Sequence, residues 1–147
     1  MKKLHILLVE DNQGDVFVTR EALNETNAIR KISIVNDGDE AMHFLEDLYK
    51  KNDSDYPDLI FMEAYLRKIN GYEVLKYIKT SNYLMHIPVI ISTDSNYEND
   101  INNAYKNLAN AYVAKPSEID VFISQISKTI EYWTTIATLP TLTQITD

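Results

Sequence analysis

Five short apolar runs punctuate the chain: LHILLV at 4–9, KISIV at 31–35, DLIFM at 58–62, PVIIST at 88–93 and AYVA at 111–114. They are near-continuous in Ile, Leu and Val, with no strict alternation, which is the pattern of strands covered on both faces. Between them lie Gln13–Glu25, Asp39–Tyr49, Gly71–Thr80 and Tyr97–Leu108, each long enough for a crossover helix. The repeated βαβ order predicts an α/β fold, doubly wound around a central five-stranded parallel sheet in a three-layer (βα)5 sandwich. Two of the three glycines, Gly38 and Gly71, stand at predicted helix starts.

A last helix follows the fifth run. Ile119, Phe122, Ile123, Ile126, Ile130 and Trp133 fall at helical spacing and make one apolar stripe. Ser117 and Asp120 are its candidate capping box. The stripe carries the helix past residue 130, so residues 1–130 are expected to form one domain and 131–147 an extension with a Thr-rich tail. Trp133, Ile136, Leu139 and Leu142 lie beyond the sheet, and a monomer leaves them little to pack against. A homodimer through the last helix and this extension is therefore expected. The polar stretch KKNDSDYPD, 50–58, reads as a surface loop.

Composition narrows the function classes. A chain of 147 residues with 45% apolar and 24% charged residues suits one globular domain. Its net charge of −8 and pI near 4.8 argue against a nucleic-acid partner, since Lys50-Lys51 and Arg67-Lys68 are isolated basic pairs. With no cysteine there is no disulfide or thiolate chemistry. The first apolar run ends after six residues in acids, too short for a signal peptide, and no run reaches membrane-spanning length. A cytoplasmic protein with no membrane partner is expected.

The polar groups that end the runs are Glu10-Asp11, Asn36-Asp37, Glu63, Thr93 and Lys115. In open parallel sheets functional groups gather at the carboxyl ends of the strands, which would bring Glu10, Asp11, Glu63, Thr93 and Lys115 to one crevice. Two carboxylates roughly 5 Å apart repel by about 3 kcal/mol at an effective dielectric near 20. Three of them call for a divalent cation or a raised pKa, and Lys115 offsets only part of the charge. Hard oxygen ligands suit Mg²⁺ better than zinc. His5, His43 and His86 lie in different elements without ligand spacing.

HILLVEDN, PDLIFMEAYLRKINGYEVL, IPVIISTDS and AYVAKP together resemble the receiver domain of two-component response regulators, from about residue 3 to residue 130. The closing IEYWTTIATLP is similar to small single-domain regulators that partner bacterial phytochromes. The resemblance implies a flavodoxin-like receiver fold and a phosphorelay signalling role without enzymatic activity. It implies a Mg²⁺ site from Glu10, Asp11, Glu63 and the main-chain carbonyl of Tyr65. Thr93 and Lys115 would contact phosphoryl oxygens, Tyr112 would turn inward as Thr93 moves, and Lys115-Pro116 would be cis. A sensor histidine kinase or a downstream signalling protein is the implied partner.

This chain departs from that family at four positions. Glu63 stands where receivers carry the phosphoaccepting aspartate. Arg67 replaces the usual proline, Asn70 an aspartate, and Asp94 a small residue. A glutamate reaches about 1.5 Å further than an aspartate. Positioning governs phosphoryl transfer, and an error of about 1 Å costs on the order of a hundredfold. The extra methylene also carries the carboxylate towards Thr93 and Lys115. Glu63 is therefore expected to take no phosphate and to imitate part of the phosphorylated state. It brings one charge and two oxygens, against roughly −1.5 to −2 and three for a phosphoryl group. A direct Glu63–Lys115 ion pair is the geometric signature of this reading. Two alternatives accompany it: a working phosphoaccepting receiver, and a Mg²⁺-dependent phosphatase or phosphotransferase on the same fold class. The sequence offers the second no nucleophile with a partnered base and no Gly-rich phosphate loop.

Overall fold

The computed structural model describes residues 2–141. Strands β1 (Leu4–Val9), β2 (Ile29–Val35), β3 (Leu59–Met62), β4 (Val89–Thr93) and β5 (Ala111–Ala114) alternate with helices α1 (Gln13–Glu25), α2 (Gly38–Lys50), α3 (Gly71–Thr80), α4 (Glu98–Lys106) and α5 (Ile119–Glu131). The strands form one parallel sheet in the order β2-β1-β3-β4-β5. From β1 the chain first winds outward to β2 and then crosses to β3. The switch point between β1 and β3 opens a crevice at their carboxyl ends.

The absence of polar alternation in the strands is explained by the two helical layers. Leu7, Val9, Ile60, Met62, Val89 and Ile91 face α2, α3 and α4. Their sequence neighbours Ile6, Leu8, Leu59, Phe61 and Ile90 face α1 and α5. Each such side chain contributes about 1.5–3 kcal/mol by leaving water. The central strands β1 and β3 are buried along their full length.

Side-chain caps set where three of the helices begin. Asn12 accepts from the Asp15 amide at 2.9 Å, Asp37 from Glu40 at 2.7 Å, and Asn70 from Tyr72 at 2.8 Å. Asn and Asp are equivalent in this role, so Asn70 costs the local structure nothing. Helix α5 differs from expectation. Its N-cap is Glu118 without a side-chain cap bond, so Ser117 and Asp120 form no capping box, and Ile119 is exposed.

Three further expectations are corrected. Lys115-Pro116 is trans, as no cis peptide occurs among the described residues; trans is the lower-energy isomer of an X-Pro bond by about 0.5–1 kcal/mol. The 50–58 loop is polar but not wholly at the surface, because Asp58 is buried and accepts from the His5 amide at 2.9 Å and from Lys2 Nζ at 2.9 Å. Beyond α5 the chain makes a π-helical turn, Tyr132–Ile136, and Trp133 and Leu139 pack back against the α1/α5 layer. Only Ile136 of the expected unpartnered set remains open, at 72% exposure, and Leu142 lies outside the described residues.

At the sheet's edge, β5 is half-exposed, and the Tyr112 amide donates to the phenol oxygen of Tyr105 from α4 at 3.1 Å. Gly71 shapes the crevice more directly. A Cβ at this position would lie 2.3 Å from the Glu63 carbonyl oxygen and 2.7 Å from that of Ala64. Only glycine lets α3 start this close to the end of β3. Gly71→Ala is expected to lose about 1–3 kcal/mol of stability, read as a lower urea midpoint with an unchanged slope.

Candidate functional site

Each strand end that supplies a polar group is tied down by one backbone bond. The Glu10 amide donates to Val35 at 3.1 Å, Glu63 to Val9 at 2.9 Å, and Lys115 to Thr93 at 2.7 Å. The side chains therefore leave from rigid backbone. Lys115 spans the crevice, and its Nζ donates to Glu10 Oε1 at 2.5 Å, to Asp15 Oδ2 at 2.9 Å and to Glu63 Oε1 at 3.0 Å. An ammonium has three hydrogens, and here each meets a carboxylate. The remaining glutamate oxygens are also engaged: Glu10 Oε2 accepts from the Asn12 amide at 3.2 Å and Glu63 Oε2 from the Tyr65 amide at 3.1 Å. The Lys115 side chain is 5% exposed.

The structure thus gathers Glu10, Glu63 and Lys115 as expected, and adds Asp15. Sequence reasoning missed Asp15 because an acid in a helix's first turn already has a sufficient role beside the helix dipole. The available signal was its place, one turn into a helix that leaves directly from Glu10-Asp11. Asp11 stays at the mouth, its Oδ2 3.9 Å from Arg67 Nε. Thr93 is buried at the end of β4, while Asp94 is exposed. Tyr112 is half-buried and its hydroxyl donates to the Ser95 carbonyl at 2.7 Å.

Tyr65 links the acid to the next helix. Its amide holds Glu63, and its half-exposed hydroxyl donates to Asp100 Oδ1 in α4 at 2.5 Å. The Ser95 hydroxyl donates to the other Asp100 oxygen, and the Tyr72 hydroxyl to the Asp100 carbonyl at 3.0 Å. The first turn of α4 is thereby fastened to the loop that carries Glu63.

Burial pushes Glu10 up to about 6, against the opposing pull of its hydrogen bond to Lys115. Burial acts to lower Lys115, but its bonds to Glu10 and Asp15 outweigh it and hold the ammonium above its ordinary value. Burial thus favours the neutral form of Glu10, while the carboxylates around Lys115 favour its charged form.

The donor set fits a divalent ion poorly in this arrangement. Among the described residues no three His, Cys, Asp or Glu side chains are grouped to hold a metal. Both oxygens of Glu10 and both of Glu63 already accept from protein donors, two of them from a cation. Glu10, Glu63 and Lys115 also line a cavity of about 20 Å³, room for a single water.

A doubly wound sheet with acids ending β1 and β3, a hydroxyl ending β4 and a lysine ending β5 defines a signalling receiver module. The response regulator receiver domain family model matches residues 6–127, and the chain belongs to that family, whose members act in two-component signalling. Response regulator Rcp1 of Synechocystis sp. is 33% identical over 135 residues, covering 92% of each chain. The crystal structure of the phosphorylated cyanobacterial phytochrome response regulator RcpA superimposes with a TM-score of 0.88 at 34% identity, covering 94% of this chain and 99% of that one. The Mn²⁺-bound form of Rcp1 gives 0.84 at 33% identity, covering 93% and 99%.

The burial of Glu10 has a measurable consequence. Glu10 ordinarily titrates at 4.5 but holds its proton to about pH 6 in the folded chain. The folded state therefore binds more protons in that window, and stability falls as pH rises through it, by about 2 kcal/mol for this group. Urea midpoints measured between these two pH values should decline more steeply for wild type than for Glu10→Gln.

Proposed function

We propose that the protein is a receiver that signals by protein contact without accepting a phosphoryl group at residue 63. The observation that carries this reading is the 3.0 Å ion pair between Glu63 and Lys115. The glutamate places its carboxylate on the lysine that, by family resemblance, would otherwise meet a phosphoryl oxygen. Its second oxygen takes the Tyr65 amide. One charge and two oxygens thus occupy contacts that a transferred phosphoryl group would make. Through Tyr65, the same carboxylate orders the first turn of α4.

The partner is a sensor histidine kinase or a downstream signalling protein; the likeness to a phytochrome response regulator favours a phytochrome-type sensor. Residues 131–147 act as an extension of the receiver that pairs two copies. Exposed Ile136 and Tyr132, on the π-helical turn, support this.

Incubation with acetyl phosphate and Mg²⁺, followed by intact-mass measurement, tests the central reading. Wild type is expected to gain no phosphoryl group and Glu63→Asp to gain one; an alkali-labile phosphoryl adduct on wild type overturns the proposal. Sedimentation of the full chain beside a version ending at Ile130 tests the pairing. The full chain should sediment as a dimer and the shortened one as a monomer, and two monomers would end that part.

A further inference from the structure

We infer that Lys115 is the resident cation of the crevice, that Asp15 positions it there, and that together they suppress the binding of a divalent metal ion. The inference deepens the reading proposed above, because it concerns the same site. Besides Asp11, a divalent ion in this crevice would need Glu10 and the acid at residue 63. Those are the groups whose Oε1 atoms lie 2.5 Å and 3.0 Å from the Lys115 ammonium. An ion bound to the same oxygens would stand within a few ångströms of a buried positive charge and be repelled by it. Octahedral magnesium would also require those carboxylates to turn away from the lysine.

Asp15 decides which cation wins. Glu10 and Glu63 offer their oxygens equally to an ammonium or to a metal. Asp15 instead approaches from the first turn of α1, where the Asn12 cap fixes the backbone, and holds Nζ at 2.9 Å. Its carboxylate is 33% exposed, against 5% for Glu10 and 10% for Glu63, so it anchors the ammonium from the solvent side. Three carboxylates saturate the three ammonium hydrogens, and the lysine has no free donor drawing it elsewhere. The longer side chain at residue 63 completes the set by bringing its oxygen within hydrogen-bond range.

Asp15 thus acts as a positioning residue, and the sign of one substitution identifies that role. Asp15→Asn removes a negative charge beside the crevice, so simple electrostatics requires it to weaken the binding of a cation. If Asp15 retains Lys115, the substitution instead frees the glutamates and strengthens binding.

The experiment is titration of the full chain with Mn²⁺ alone, read by the electron paramagnetic resonance signal of the free ion at neutral pH. Wild type is expected to show no saturable binding up to millimolar Mn²⁺. Asp15→Asn and Lys115→Met should each bind at least about tenfold more tightly. Circular dichroism establishes which variants are folded; if Lys115→Met is not, Asp15→Asn decides alone. Micromolar binding by wild type overturns the inference, as does a folded Asp15→Asn that binds no better than wild type. The acetyl phosphate result is independent: a phosphoryl adduct on wild type would sink the signalling proposal, while the Mn²⁺ titration judges the resident cation.

Discussion

One ammonium shared by three carboxylates is the interaction on which the rest of the site depends. It joins β5 to β1, β3 and the first turn of α1, elements far apart in sequence. Removing one member of such a buried set leaves the others uncompensated, which costs about 3–5 kcal/mol where a pair is fully enclosed. The cluster explains why so many acids tolerate one another at the switch point. It also holds Lys115 in its charged form, while burial drives Glu10 towards its neutral one against the pull of the same lysine.

The fold beneath serves this arrangement by making the strand ends rigid. β1 and β3 are buried on both faces, so the backbone from which Glu10 and Glu63 depart has little freedom. Gly71 then permits the approach of α3 against the Glu63 carbonyl. Asn70 caps that helix, so two departures from the family pattern have different weights: Asn70 is neutral to the architecture, whereas Glu63 alters what the crevice contains. Arg67 adds a second, solvent-exposed cation at the mouth, close to Asp11.

Much of the fold was legible in the chain. Strand runs with no polar alternation identified a sheet covered twice, and β1, α1, α3 and β5 begin and end where the pattern placed them. Long-range consequences were less legible. Asp15 was invisible because helix-start chemistry already accounts for an acid in a first turn. The packing of Trp133 and Leu139 is not legible locally, because it depends on the chain turning back after α5, which periodicity alone does not encode. The cap of α5 was misplaced because Ser117 and Asp120 satisfy a local rule that the backbone there does not use. The expected cis bond came from the family resemblance alone, with no local sequence signal behind it.

The Tyr105 phenol on the Tyr112 amide has a different kind of consequence. An edge strand with open amides is a template on which any extended chain can crystallise into a ribbon. By occupying one of those amides with a side chain from α4, the protein turns a sticky border into a selective one. Proteins that meet it there must do so through shape and side chains, and promiscuous strand addition is discouraged without a single charged guard residue on β5.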